Sequence, residues 1–297
     1  MEFVLENRSI KPSRSKPVSL AFAKVDAAKG DIDVLDHRID GFFEEHAYAK
    51  RSYLDLTGTE RTYVIDLPPM PWEIEIKVGH ILHDLKSALD YLAVAVVAAY
   101  GQSTDRTYFP VRKSPDGLEE ALCSPPWSRL PLAVADTIRE VKPYLGGNDL
   151  LWLLHDSNRD DKHRGEQFQI RPGIRVGSLR TLNCKPIRLG PATGQHLVYS
   201  KEQGGMIQKL DEKRPTYTAD SQGNTFLVAV ADDYGNSIDI LTVPEGCVFE
   251  SDIKPTVCIS FPQLRHFERL YIISVLRDMA KAVETTLNLF DHKFLGS

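Results

Sequence analysis

The sequence predicts an α+β fold: a helical bundle interrupted by a β-rich antiparallel insertion, with a C-terminal helix that returns to the bundle. Apolar residues recur at helical spacing up to about residue 163 and again after residue 262. Between residues 168 and 261, glycine, proline and threonine become frequent and short β-type runs alternate with turn dipeptides. Because a final amphipathic helix cannot bury its apolar face alone, we expect it to pack against the earlier helices.

These changes of pattern divide the chain of 297 residues into three segments. Residues 1–166 are predicted to form a mainly helical bundle with an N-terminal β-hairpin. Residues 167–261 are predicted to form the β-rich insertion, and residues 262–297 the helix that completes the bundle.

The first predicted elements are a long helix and a hairpin. Apolar residues from Val18 to His46 approach helical spacing, and Gly30 is the weak point of this helix. From Tyr53 to Leu67, strand-forming residues surround the Gly58-Thr59 pair, which predicts a hairpin with its turn at that pair.

The longest predicted helix runs from Trp72 to Tyr100. Pro71 suits its start and Gly101 its end. The spacing of three and four residues predicts one buried stripe, formed by Ile74, Val78, Ile81, Leu85, Leu89, Leu92 and Val96.

Shorter elements follow the loop around Phe109-Pro110. Helices are predicted at residues 117–123, 132–141 and 149–163, and strands at residues 226–230 and 257–261. The last helix is predicted to run from Pro262 to Phe290. Its apolar residues at helical spacing are Leu264, Phe267, Leu270, Ile273 and Leu276.

Composition excludes several classes of protein. A net charge of -5 and a pI near 6.0 argue against a strongly basic protein that coats duplex nucleic acid, although they allow a local basic pocket. None of the four cysteines belongs to a CxxC pair, so a zinc ribbon is excluded and reduced thiols are expected. The N-terminal 18 residues lack the apolar stretch of an export signal, and the most apolar run, Tyr91 to Tyr100, is too short for a membrane span. We therefore expect a cytoplasmic protein.

A polar stripe accompanies the apolar one on the longest helix. Its members, at spacings of three and four, are His80, His83, Asp84, Ser87, Asp90 and Tyr91. Exposed helix faces are ordinarily rich in Glu and Lys, so these residue types indicate a half-buried polar pocket. The alternative is an ordinary solvated or hydrogen-bonded helix face.

The densest group of reactive side chains lies between residues 154 and 164. On a continuous helix, one face would carry Trp152, His155, Asp156, Arg159 and His163. Histidine exchanges a proton near neutral pH and arginine holds phosphate through two hydrogen bonds, and RNA cleavage without metal needs both. The alternative is a helix C-terminus, at which Lys162, His163 and Arg164 complement the helix dipole and Gly165 ends the helix.

Two helical segments resemble a family of bacterial proteins. They run from His83 to Leu92 and from Leu151 to Arg164, with Phe109-Pro110 and residues 142–144 between them. Members of that family carry close variants of "LHNLRSALDHLA", "FP" and "LHDLNNIDKHR". The resemblance covers residues 75–165 and implies a shared fold without an assigned activity.

More distantly, a helical bundle with arginine and histidine on a late helix resembles the HEPN superfamily. Many of its members are metal-independent ribonucleases with an Arg-x(4–6)-His motif. This chain departs from the motif, because only three residues separate Arg159 from His163, and a spacing of four begins at Asn158. Asparagine lacks the phosphate-binding charge, which Arg159 or Arg164 would have to supply.

The resemblance and the residue pattern together favour an RNA-binding protein or metal-independent ribonuclease, with a role in defence or as a toxin. The expected catalytic residues are His163, Arg159, Asn158, Arg164, Asp161 and Lys162. The expected supporting residues are His80, His83, Asp84, Ser87, Asp90, His155 and Asp156. Single-stranded RNA and a second copy of the chain are the expected partners, and no cofactor, metal or membrane is expected.

Two other functions stay open. The HD dipeptides His83-Asp84 and His155-Asp156, with further acidic and histidine residues nearby, would suit a metal-dependent phosphohydrolase. A non-catalytic module that binds a ligand or a partner is the other alternative, and the insertion carries neither a GxxxxGK nor a GxGxxG motif. The sequence leaves open whether the chain is an enzyme.

Overall fold

The computed structural model describes residues 16–46, 48–160, 169–182, 188–189, 197–200, 205–209, 217–219, 225–230, 237–261 and 270–296. Within them the predicted α+β class is confirmed. The helices are α1 Lys16–Glu45, α2 Trp72–Ala99, α3 Pro115–Leu122, α4 Leu132–Val141, α5 Asp149–Asp160 and α6 Ile272–Phe290. A short 3-10 helix, Trp127–Arg129, lies between α3 and α4, and a π-helical turn, Asp291–Leu295, follows α6.

The strands fall mainly in the predicted insertion. They are β1 Ala49–Leu54, β2 Glu60–Asp66, β3 Gln169–Leu182, β4 Arg188–Leu189, β5 Leu197–Ser200, β6 Gly205–Lys209, β7 Tyr217–Ala219, β8 Thr225–Val230, β9 Ser237–Pro244, β10 Val248–Ser260 and β11 Leu270–Tyr271. One sheet has the order β1-β2-β9-β4-β5-β6 and the other β11-β10-β3-β8-β7. Every described strand pair in both sheets is antiparallel, as predicted.

The β1–β2 hairpin forms where the sequence predicts it. Gly58 has φ +71°, a left-handed conformation that glycine adopts without strain, and the Asp55 carboxylate accepts hydrogen bonds from the backbone of Thr59 and Glu60. These bonds, and first of all one from the Thr57 hydroxyl, lower the pKa of Asp55 to about 2. β2 then pairs with β9 over Glu60–Asp66, a partnership that the sequence did not indicate.

The long helix α2 buries the whole apolar stripe that its spacing predicts, and α1 buries most of its apolar residues but leaves Leu20 exposed. α1 continues through Gly30 and buries Val18, Ala21, Val25, Ala28, Ile32, Leu35 and Ile39. α2 buries all seven residues of its predicted stripe and ends at Ala99, just before Gly101 with φ +67°. Burial of this stripe leaves the remaining faces of α2 for polar contacts.

The final helix returns to the earlier helices, but it begins later than predicted. Glu284 of α6 binds Lys29 of α1, and Phe290 packs edge-on against Phe109 with 5.9 Å between ring centroids. The predicted start at Pro262 is wrong, because Leu270–Tyr271 forms strand β11 on β10 and α6 starts at Ile272. An apolar residue such as Leu270 satisfies either periodicity, and backbone pairing with β10 decides for the strand.

Two further findings bear on the chemical environment. Cys123 and Cys258 are free, whereas Cys247 is disulfide-bonded, so the expectation of reduced thiols is wrong for Cys247. Disulfides are characteristic of oxidising compartments, and the cytoplasmic localisation therefore stays a prediction. In the described part of the chain, none of the helices has both the length and the apolar character of a membrane span.

The chain forms two compact units. The first comprises Met1–Asp31, Gly79–His163 and Asp278–Ser297, and the second Ile32–Val78 and Arg164–Arg277. In the second unit, buried Asp36 accepts hydrogen bonds from the Tyr271 hydroxyl and the Arg277 guanidinium. The candidate site lies within the first unit, and the domain boundaries predicted at 166/167 and 261/262 stay predictions.

Candidate functional site

Two of the predicted polar groups meet where α2 and α5 approach each other. His83 Nδ1 on α2 lies 3.4 Å from Asn158 Oδ1 on α5, and Ser87 Oγ lies 3.5 Å from His83 Nε2. Because the amide oxygen accepts and the hydroxyl can donate, both contacts fit the histidine tautomer protonated at Nδ1. We call these three residues the α2–α5 polar contact. Both distances are long, so they orient the imidazole ring only weakly.

One turn further along α2, a partly buried ion pair fixes the loop that follows the helix. Lys86 is only 5% exposed, and its Nζ donates to Asp90 Oδ1 at 2.5 Å. The same Asp90 oxygen accepts the backbone N–H of Phe109 at 3.0 Å. Since Phe109 is also buried against Phe290, the loop is held by a hydrogen bond and by packing.

A pocket of about 520 Å³ opens beside this ion pair. Its charged side chains are Lys86, Arg106, Arg112 and Glu120, and its lining also includes Tyr108, Trp127 and His155. We call it the cationic pocket, because its described lining residues include three cations and one anion. Its volume lies within the ~300–1,000 Å³ that is usual for small-molecule sites.

Arg106 lies in an unusual backbone conformation at the pocket. It has φ +55° in the turn that the Thr107 N–H closes on the Thr104 carbonyl oxygen at 3.2 Å. Non-glycine residues rarely adopt left-handed angles, and those that do are frequent at ligand-binding sites. The turn therefore places a cation where glycine would be the less strained residue.

Arg112 is tied to the connection between α4 and α5. Its backbone N–H donates to the carbonyl oxygen of Pro143 at 3.0 Å, and its guanidinium donates to the carbonyl oxygen of Val111 at 2.8 Å. Neither Arg106 nor Arg112 forms a salt bridge with any residue that the structure describes. Both guanidinium groups are exposed at the pocket and retain donors for an anion.

Helix α3 supplies another wall of the cationic pocket. Ser114 caps it by accepting the Gly117 N–H at 3.2 Å, and Pro115 occupies its first turn. Arg139 of α4 donates two hydrogen bonds to Glu119 of α3, at 2.8 and 2.7 Å, which lowers the pKa of Glu119. This bidentate pair links α3 to α4 and leaves Glu120 as the acidic group at the pocket.

The other predicted site residues have varied positions. His155 lines the cationic pocket, Asp156 is buried, and His80 is exposed. Asp84 binds Lys24 of α1 at 2.6 Å, away from the α2–α5 polar contact. Asp161, Lys162, His163 and Arg164, together with the side chain of Arg159, lie outside the described residues. The predicted approach of His83 or Asp90 to His163 or Lys162 therefore stays a prediction.

Metal ligation receives no support from the described part of the chain. There, no three His, Cys, Asp or Glu side chains come together in a way that could hold a metal ion. Asp84, which belongs to one of the two HD dipeptides, binds Lys24 instead.

Sequence reasoning missed most of the pocket. Arg106, Tyr108 and Arg112 flank the Phe109-Pro110 pair that contributes to the family resemblance, and Lys86 lies within the first helical segment that does so. Two arginines interleaved with aromatic residues are a known signal for nucleic-acid binding, and this signal would have found the loop.

The sequence matches no protein-family model, and no match exists among curated proteins or solved structures. The resemblance to the HEPN superfamily accordingly stays a prediction.

Proposed function

We propose that the protein binds single-stranded RNA and cleaves it without a metal ion. One observation carries the proposal: α2 and α5 contribute residues both to the cationic pocket and, on neighbouring turns, to the α2–α5 polar contact. Lys86 and Asp90 follow His83 along α2, and His155 precedes Asn158 along α5. Cations for phosphate and a histidine for proton transfer are the two tools that such cleavage needs.

The proposed roles extend along α5 into the segment after it. His163 accepts the proton of the ribose 2′-hydroxyl as that oxygen attacks the phosphorus, or donates a proton to the leaving oxygen as its bond to phosphorus breaks. Asp90 or Asp161 orients it. Arg159 or Arg164 stabilises the charge that develops on the phosphate, with Lys162 and Asn158 beside it. A second copy of the chain completes the site.

The proposal is tested by incubating the wild-type protein and the His163→Ala variant with mixed RNA in EDTA. Because acid–base residues contribute roughly 10²–10⁴-fold, we expect His163→Ala to lose about that much cleavage. His292→Ala, which removes an exposed histidine from the π-helical turn, is the matched control and should cleave like the wild type. Equal thermal unfolding of the three proteins would exclude a folding defect.

Absence of cleavage by the wild type, or equal cleavage by the wild type and His163→Ala, would refute the ribonuclease proposal. Sedimentation of the same samples measures whether two copies associate. Cleavage that needs an added metal ion, or stoichiometric metal in the purified protein, would favour the phosphohydrolase instead.

A non-catalytic binding module is the second candidate. It is favoured by the cationic pocket itself, because the described lining of this pocket already includes the cationic residues Arg106 and Arg112. RNA or nucleotide binding without cleavage in any buffer would support this candidate.

A further inference from the structure

We propose that the cationic pocket binds one nucleotide, with its phosphate on Arg106 and Arg112 and its base against Tyr108. The nucleotide is either a free mononucleotide or one residue of an RNA strand. This inference deepens the proposed function and rests on it for the choice of ribonucleotides, but it requires neither cleavage nor residues 161–164.

The phosphate position follows from the distribution of charge. Arg106 and Arg112 are exposed at the pocket, and neither forms a salt bridge with a described residue. Lys86 is different, because its charge is buried and already neutralised by Asp90 at 2.5 Å. An incoming anion therefore finds its free donors on the two guanidinium groups, whose planar shape suits two-pronged binding of phosphate.

Glu120 is the opposing charge at this pocket. Its carboxylate is exposed, whereas its neighbour Glu119 is bound by Arg139. A phosphate at the guanidinium groups would experience repulsion from Glu120. Glu120→Gln should therefore strengthen nucleotide binding, a direction opposite to that of the arginine variants.

The position of the base follows from the aromatic residues. Tyr108 is 63% exposed, whereas the next residue, Phe109, is buried. Tyr108 lies two residues after Arg106 and also lines the pocket. The Asp90 carboxylate holds the Phe109 backbone, so the loop that carries Tyr108 is fixed while its side chain stays accessible. Exposed aromatic rings beside cations form the stacking surfaces on which proteins bind single-stranded nucleic acid. Trp127 also lines the pocket, but it is only 7% exposed, so its ring is not accessible to a base on both faces.

An ordinary solvated surface would also carry exposed arginine and tyrosine side chains. Such a surface gives no reason for a left-handed arginine, nor for a buried lysine in the lining of a cavity of about 520 Å³. Both features are costly, and they coincide at the same pocket.

The test is calorimetric titration of the full-length protein with AMP, UMP, adenosine, inorganic phosphate and a short oligoribonucleotide in EDTA. The variants are Arg106→Ala, Arg112→Ala, Tyr108→Ala and Glu120→Gln. Arg38→Ala and Tyr53→Ala are the matched controls, because each removes an exposed residue of the same type that is not among the described lining residues of the pocket.

We expect AMP and UMP to bind, and adenosine and phosphate each to bind at least about tenfold more weakly. Each arginine variant should lose about tenfold or more in affinity, Tyr108→Ala roughly five- to hundredfold, and the two controls nothing. Binding of the oligoribonucleotide alone, with the same losses in the variants, would assign the pocket to a nucleotide within a strand.

Failure of all nucleotides and of the oligoribonucleotide to bind, or binding that the pocket variants leave unchanged, would overturn the inference. The ribonuclease proposal and the pocket assignment can be refuted independently. Variant-sensitive AMP binding without RNA cleavage would remove the ribonuclease alone, whereas cleavage with unaltered binding in the variants would remove the pocket assignment alone.

Discussion

Arg106 and Lys142 are the two non-glycine residues with a left-handed backbone in the described part of the chain, and they differ in their reasons for it. Lys142 ends α4, where left-handed residues commonly terminate helices, and its carbonyl oxygen accepts the Asn148 N–H at 2.8 Å. Arg106 ends no helix. Its conformation has a cost that the turn alone does not require, because glycine would form the same turn with less strain.

Replacing Arg106 by glycine should change stability and nucleotide binding in opposite directions. We expect Arg106→Gly to raise the free energy of unfolding by up to about 1 kcal/mol, because glycine adopts φ > 0 freely. The same variant should bind nucleotide about as poorly as Arg106→Ala. Urea denaturation measures the first effect and calorimetry the second. Lys113→Gly is the control, at an exposed position in the same loop without positive φ, and it should lower the free energy of unfolding. A marked loss of stability in Arg106→Gly would contradict the prediction and show that this arginine supports the fold.

Asp90 and Asp84 lie on the same helix but have different environments. Asp90→Ala would leave Lys86 buried and unpaired and would remove the acceptor of the Phe109 N–H. We expect it to lower the free energy of unfolding by about 3–5 kcal/mol. Asp84→Ala removes a more exposed pair with Lys24 and should cost at most about 1 kcal/mol. Urea denaturation of both variants provides the measurement, and equal losses would contradict the role assigned to the buried pair.

Among the elements, α1 shows how tertiary packing overrides a local weakness. Gly30 lies in the middle of this helix, yet buried residues before and after it hold the helix continuous. Most helical stability in proteins comes from packing of one face, and a single glycine lowers it only modestly.

This helix can therefore be strengthened without touching its core. A Cβ atom at Gly30 would meet no heavy atom within 4 Å, so we expect Gly30→Ala to raise the free energy of unfolding by about 0.5–1 kcal/mol. Gly58→Ala is the matched control: its surroundings are equally open, but φ +71° makes the substitution destabilising. Thermal unfolding distinguishes the two, and a destabilised Gly30→Ala variant would refute the argument.

Elements with a one-sided apolar pattern were predictable, and partnerships between distant elements were not. The stripe of α2 specifies its buried face through spacing alone, and the hairpin carries its turn at Gly58. Neither pattern contains information about β9 as the partner of β2, and Leu270 fits both a helix and a strand. Local periodicity describes one element, whereas pairing depends on what other elements offer.

The same distinction applies to the candidate site. The approach of His83 to Asn158 joins the predicted polar stripe of α2 to a residue of the reactive segment 154–164, although not to the face predicted for that segment. The cationic pocket depends on Arg106 and Arg112 in an irregular loop, positioned by Asp90 and by the backbone of Pro143. No periodic pattern encodes such a loop, so the sequence indicated the chemistry of two helices but not the pocket beside them.

At the scale of the whole molecule, each of the two compact units is assembled from separate stretches of the chain. The boundaries between them fall at residues 31/32, 78/79, 163/164 and 277/278, and three of these four lie inside α1, α2 and α6. A change of composition marks where strands replace helices, but it does not report which part of a long helix belongs to which unit. The boundaries predicted from composition at 166/167 and 261/262 therefore stay predictions.

The pairing of β2 with β9 has a consequence for synthesis on the ribosome. β2 ends at Asp66, whereas β9 begins only at Ser237, so at the usual 5–20 residues per second roughly 10–30 s pass before the second strand exists. During this interval Val64 and Ile65, both buried in the folded protein, belong to an unfinished sheet. Lys50 and Arg51 discourage pairing with other chains at the β1 edge only, and the β2 edge stays open until β9 is made. The nascent hairpin is accordingly a segment that a chaperone would protect from aggregation.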